Sequence, residues 1–427
     1  MTMSGQRPRW IVTRRAIVGV VALATIGSVI NYPRAPEAAS PLLRTVAIGQ
    51  PNTSGIIPLT VMVDARTRRV FVASGGDNVV TVLDADNGAE LRQIALGNPW
   101  DTSVAPLAMV MDARRGRVFV ADNAAVSMLD ARSGRVLRTI PNVAADPQGL
   151  AVDGESGYLI VAAQGSISVI DTQRGATLHT VPVGQPRSTL FVAVAGRTVL
   201  VASKRDHTVT SIDAPTGKLL RRVIIDADPS PTHDLTSLVL EKRTGRAFVG
   251  IAAGRIGVLD LRHGFRVRTV KVAASSGFGG APFVVAAAEQ ARQVVVANGL
   301  TGVVSLLDGA SGRIVKVVYV GSWPYASAVD ERRGRAFVLD MASRGAVRVL
   351  DLQRGAVAHS LYLHGLPYAI AVDEPTGHVF IADSGGTESL PDPWQGVRHW
   401  LPFWPIPVPT GTRAIPPTVT LLDAPRL

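Results

Sequence analysis

The chain has 427 residues, 47% of them apolar and 18% charged, with 41 Gly, 28 Pro and no Cys. The missing thiol excludes disulfides, thiolate metal sites, a Cys nucleophile and a lipid-modified Cys anchor. The formal charge of +11 is carried mostly by Arg. It permits contact with nucleic acid or anionic lipid, but the Arg residues stand singly in turns rather than in one run, which also fits a solvated surface.

Residues 1–31 form the first segment. Arg7, Arg9, Arg14 and Arg15 precede the apolar run Ala16–Ile30. A basic start followed by a run of this length reads as an export signal or an uncleaved anchor, since a full membrane span needs about 20 apolar residues. Residues 13–18, TRRAIV, partly match a twin-arginine export motif. Cutting after Ala38 would place Pro36 at the third position back, and cutting after Ala39 would place Glu37 there. Cleaved and uncleaved forms therefore both stand. Either way the body is expected outside the cytoplasm, on the periplasmic or extracellular side. If uncleaved, residues 16–30 would hold it to the inner or cytoplasmic membrane. Residues 32–41, rich in Pro and Ala, read as a linker.

From Leu42 the chain is periodic. An apolar strand ending in Asp recurs at Asp84, Asp130, Asp171, Asp213, Asp260, Asp308, Asp351 and Asp423, with spacings of 46, 41, 42, 47, 48, 43 and 72. Apart from the last, these match a four-stranded propeller blade of roughly 40–50 residues. A hairpin precedes each Asp: VMVDARTRRVFVA, MVMDARRGRVFVA, LAVDGESGYLIVA, SAVDERRGRAFVL and IAVDEPTGHVFIA agree closely. LFVAVAGRTVLVA, SLVLEKRTGRAFV and FVVAAAEQARQVVVA are degenerate copies that keep the strand pattern. An outer strand follows each Asp except the eighth, and an orphan copy of that strand, LLRTVAIG, stands at residues 42–49. The expected fold is all-β: a single β-propeller over residues 42–427, closed by the N-terminal strand completing the last blade. Eight blades are counted, with seven the alternative if one degenerate unit forms no blade. Closure of this kind removes an exposed sheet edge.

The phrases VVVANGLTGVVSLLDGASGRIVKVVYVG and VFVADNAAVSMLDARSGRVLRTI resemble the YVTN-type β-propeller repeat, as in YncE-like exported proteins. The literal Tyr-Val-Thr-Asn is absent, with VFVA or VVVAN in its place. The resemblance implies a propeller fold and export. It implies no single activity, because the fold hosts many.

The repeated Asp residues read as turn formers, with the following Gly at positive φ. Arg117, Arg135, Arg246, Arg313 and Arg335 each follow a Gly and would form a circle on the face carrying the a–b and c–d turns. The other face carries the variable d–a and b–c loops. There Trp100, Asp101, Asp146, Asp228, His233, Asp234, Trp323, Tyr325, His364 and Tyr368 would gather near the channel mouth as a small-molecule site. His233 beside Asp234 is the one pairing that suggests a metal or a base. Residues 384–417 interrupt blade eight between strands b and c. They bring Trp394, Arg398, His399, Trp400, Phe403 and Trp404 among prolines. Three Trp in so long a loop want burial or a partner, so the segment is expected to pack down as a plug, cap the channel, grip a partner or dip into the membrane interface.

No Gly-x-Ser-x-Gly elbow, phosphate loop or zinc motif is present. The leading expectation is an exported, non-enzymatic propeller that holds a protein or small-molecule ligand on its variable face. Its first alternative is a propeller enzyme, lactonase-like or quinoprotein-like, using Asp101, His233 and Asp234. The second is nucleic-acid or envelope-polymer binding through Arg and Trp. The sequence names no cofactor and no metal.

Overall fold

The computed structural model describes residues 42–48, 57–75, 78–96, 108–122, 125–141, 143, 147–228, 230–272, 282–321, 323–341, 345–363, 365–384, 386–389, 412–415 and 417–423. Expectations for residues 1–41 fall outside this set. Among the described residues no helix is long and apolar enough to cross a membrane.

Eight four-stranded antiparallel sheets follow one another in sequence, each ordered a-b-c-d. Each strand a contacts strand a of the next blade, and strand a of blade 8 (Pro367–Asp373) meets strand a of blade 1 (Ile57–Asp64), so the ring closes. The chain is an eight-bladed β-propeller. The seven-bladed alternative is excluded, because the degenerate copies each form a complete sheet. Blade 8 takes its outer strand from the front of the chain. Leu42–Ala47 pairs antiparallel with Thr418–Asp423, from Leu42 opposite Leu422 to Ala47 opposite Thr418. Ile48, fully buried, continues the pairing through its N–H to the Pro417 carbonyl at 2.8 Å.

The core lies between blades rather than inside one. Eight apolar clusters form among the described residues, one at each of the eight joints of the ring. Strand b explains why. Its side chains alternate between two faces, and both faces are covered by a neighbouring blade, so the run is apolar throughout. In blade 1, Val70 and Val72 pack toward blade 8, while Phe71 and Ala73 pack toward blade 2. Phe119, Phe248, Phe337 and Phe380 repeat the Phe71 position, and all five rings are fully buried.

The recurrent Asp residues close turns, as expected. Asp308 Oδ1 accepts the Ser311 N–H at 2.5 Å, and Asp130 Oδ1 accepts both the N–H and the hydroxyl of Ser133 at 2.7 Å. Gly134 and Gly312 sit at φ +67° and +60° within these turns. The hydroxyls of Ser133 and Ser311 are the main reason that Asp130 and Asp308 stay below the usual carboxylate range.

Candidate functional site

The two faces of the ring are built differently. The lower face carries the a–b and c–d turns, which are short and hydrogen-bonded within themselves. Asp64, Asp112, Asp153, Glu241, Asp330 and Asp373 end strand a in six blades and are all buried. The Arg residues expected to form a circle here divide into two groups. Arg117 and Arg246 are half-buried, with Nη1 of Arg117 on the Thr172 carbonyl at 2.7 Å and Nη2 of Arg246 on Asp260 at 3.0 Å. Arg335 is half-buried as well, and Arg135 and Arg313 are exposed. Guanidinium groups already committed to protein oxygens make a weaker phosphate surface than the sequence pattern suggests.

The upper face carries the d–a and b–c loops. Of the residues nominated there, His233, Asp234, Asp228, Trp323, Tyr325 and Tyr368 are described. Trp100, Asp101, Asp146, His364, Trp394, Arg398, His399, Trp400, Phe403 and Trp404 lie outside the described residues.

His233 and Asp234 do not act on each other. Pro231–His233 forms a single 3-10 turn, opened by Ser230, whose Oγ accepts the Thr232 N–H at 3.3 Å. The chain then becomes extended at Asp234, and the two side chains separate. His233 Nδ1 lies 3.0 Å from Asp228 Oδ2 and 3.5 Å from Asp226 Oδ2. Arg255 Nη2 reaches Asp226 Oδ2 at 2.6 Å and His233 Nδ1 at 2.9 Å. One ring nitrogen cannot accept from Arg255 and donate to Asp228 at once. Asp234 turns to blade 4, where its Oδ1 is 3.3 Å from His207 Nε2 and its Oδ2 is 3.8 Å from Lys204 Nζ.

Lys204, His207 and Asp234 form one polar group, and Asp226, Asp228, His233 and Arg255 form a second beside it, at the joint of blades 4 and 5. Sequence reasoning named three of these seven residues, Asp228, His233 and Asp234. Lys204 and His207 come from the b–c turn of blade 4 and Arg255 opens strand c of blade 5, whereas the residues nominated near the channel mouth all come from d–a loops. A signal existed in the run SKRDH at 203–207, a dense cluster of charge for a propeller turn. His207 is buried and sits at φ +53°, in the left-handed region where non-Gly residues are uncommon. Asp228 and Lys204 leave half or nearly half of their side chains in solvent. The two groups thus offer both charge signs to a polar partner. Among the described residues no group of His, Asp and Glu could hold a metal ion.

The second group lies three blades further on. Tyr325 and Tyr368 each follow the proline that opens strand a, in blades 7 and 8. Tyr325 donates its hydroxyl to the Pro367 carbonyl. Burial, then the neighbouring Tyr368, push its phenol pKa far up, so it stays protonated and donates. Trp323 is 43% exposed, and its backbone N–H is fixed by Asp340 Oδ1 at 3.1 Å. Tyr325 is therefore committed to the protein, while Trp323 presents apolar surface.

The interruption of blade 8 rises on the same face. Gly386–Ser389 pairs antiparallel with Thr412–Ile415, from Gly386 opposite Ile415 to Ser389 opposite Thr412. This two-stranded ribbon stands between strand b (His378–Asp383) and strand c (Thr418–Asp423). Thr418 Oγ1 donates to buried Asp383 at 2.5 Å beneath it.

No family model and no curated protein matches the chain. Among solved structures it is similar to the computationally designed Ika8 protein. The TM-score is 0.63 at 16% identity, over 87% of this chain and 98% of that one. At that identity the likeness concerns the fold alone.

Proposed function

We infer that the protein is an exported, non-enzymatic binding propeller of the YVTN type, holding a ligand or partner on its upper face. The observation that carries this reading is the asymmetry of the two faces. In the lower turns the strand-a carboxylates are held by nearby N–H groups and several Arg side chains reach carbonyls of the next blade. The upper face exposes the Asp228–His233–Arg255 and Lys204–Asp234 groups, Trp323, and a ribbon that interrupts blade 8. The aromatic stretch that joins the ribbon strands, Trp394 to Trp404, supplies the type of side chain that anchors protein interfaces. Export follows from the basic and apolar start of the chain.

The test uses the full-length chain purified from an exporting host and examined by native mass spectrometry. The wild type should retain a bound species. Arg255→Ala, or a ribbon shortened by joining Ser389 to Thr412 through a two-residue turn, should lose it. Retention by both variants would overturn the assignment to this face. A reporter enzyme that requires export for activity, fused after residue 41, should be active. An inactive fusion would overturn the export reading.

A further inference from the structure

The length of the a–b turn changes once around the lower face. In seven blades the a–b turn spans four residues, as between Asp64 and Arg69, Asp112 and Arg117, or Asp330 and Arg335. In blade 4, Ala195 pairs directly with Thr198, so Gly196 and Arg197 alone make the turn. The carboxylate that ends strand a in six other blades is also missing, with Ala195 in its place. Gly196 sits at φ +57°, and a side chain built there would meet nothing within 4 Å. A shorter turn and a smaller residue leave a notch in the ring of turns. A cavity of about 370 Å³ opens at that notch, with Ala195 and Gly196 in its wall.

Its charged lining comes from three other blades: Arg114 and Asp112 from blade 2, Asp153 and Glu155 from blade 3, and Lys242 from blade 5. Asp112 is already satisfied by the N–H and Nη1 of Arg115, both at 3.0 Å. Asp153 is buried; desolvation opposes its charge, but the Ser156 N–H and hydroxyl, the Gly196 N–H and Lys242 outweigh it and keep it ionised. Arg114 Nη1 meets Glu155 Oε1 at 3.2 Å, with both side chains mostly in solvent. Such an exposed pair exchanges partners at little cost. Lys242 is exposed, and its ammonium forms no ion pair among the described residues. Two cations and one available carboxylate, that of Glu155, therefore face one cavity. A ligand of a single sign would meet like charge on one side. The volume falls in the range of small-molecule sites.

We propose that the notch at blade 4 binds a small zwitterion, an amino acid or a dipeptide, with its carboxylate on Lys242 and Arg114 and its ammonium on Glu155. The site lies on the face opposite those loop groups and stands or falls independently of them.

The test is calorimetric titration of the full-length protein with alanyl-alanine, its N-acetyl form and its C-terminal amide. The free dipeptide should bind, and either blocked form should bind at least about tenfold more weakly. Lys242→Ala should cost a similar factor. Replacing Gly196-Arg197 by the four-residue turn of blade 7 should fill the notch and abolish binding, with the unfolding midpoint retained. If that graft fails to fold, Lys242→Ala decides. No heat with the dipeptide, equal binding of the N-acetyl form, or no effect of Lys242→Ala would each overturn the proposal.

Discussion

Removing Arg68 tests how the ring is locked. Arg68 lies in the a–b turn of blade 1, at φ +57°. Its Nη1 reaches Asp373 Oδ2 of blade 8 at 2.5 Å, and its other nitrogens hold Asp86. Asp373 is fully buried. In the other turns the carboxylate takes a backbone N–H two or three residues on, as Asp64 takes that of Arg66 at 3.0 Å. After Asp373 the second residue is Pro375, which has no N–H, and Asp373 Oδ1 is left without a donor among the described residues. Oδ2 keeps only Thr376 Oγ1 and Arg68. Arg68→Met would leave a buried carboxylate with one neutral donor. Uncovering a buried charge in this way costs about 3–5 kcal/mol. Arg68 is 26% exposed, so water can reach part of the gap, and the lower end, about 3 kcal/mol, is expected. The assay is urea unfolding of the single variants and of Arg68→Met with Asp373→Asn. The pair should show a coupling of about 1–3 kcal/mol. Arg114→Ala, whose partner Glu155 is exposed, should cost less than about 1 kcal/mol. If Arg68→Met costs no more than Arg114→Ala, the reasoning is wrong.

Phe337→Ala, at the joint of blades 7 and 8, should cost about 3–5 kcal/mol in the same assay; a loss below about 1 kcal/mol would mean that the joint refills. Deleting residues 42–48 should leave strand c of blade 8 as an open edge, and light scattering should then report self-association that the intact chain lacks. The turn carboxylates Asp130 and Asp308 have folded pKa values below their unfolded ones, chiefly through Ser133 and Ser311. Their contribution is present above the unfolded value of about 4 and is lost as pH falls through the lower folded value. Ser311→Ala should therefore flatten the acid limb of the stability profile and leave the limb above pH 6 unchanged in slope. An unchanged acid limb would remove Ser311 from the account.

Much of this architecture was legible because it is local. An Asp, a Ser and a Gly within five residues define a turn, and an apolar run buried on both sides defines strand b. The closing strand was readable as an orphan copy of LRQIALG. What escaped was long-range. His207 and Asp234 are 27 residues apart, and Arg68 and Asp373 are 305 apart. No pattern in one strand predicts which loop will reach across to it. The shortened turn of blade 4 was visible as LFVAVAGRTVLVA, but it passed as a degenerate copy. Only the pairing of Ala195 with Thr198 shows that the strands keep register while the turn loses residues.

That contrast separates departures that serve the fold from departures that serve a ligand. In a repeat protein every unit solves the same packing problem, so a unit that differs must be compensated or left open. Pro375 removes a donor from Asp373, and Arg68 of the next blade supplies another; the change closes on itself and locks the ring joint. The turn at Gly196 removes a carboxylate and two residues, and nothing among the described residues fills the space. Lys242 is left facing a cavity, and Arg114 and Glu155 stay exposed at its edge. The interruption of blade 8 follows the same logic on the opposite face. Its ribbon, Gly386–Ser389 with Thr412–Ile415, forms a sheet of its own and, among the described residues, pairs with no strand of the blade. Compensated departures mark stability, and uncompensated ones mark where the two proposed sites are to be tested.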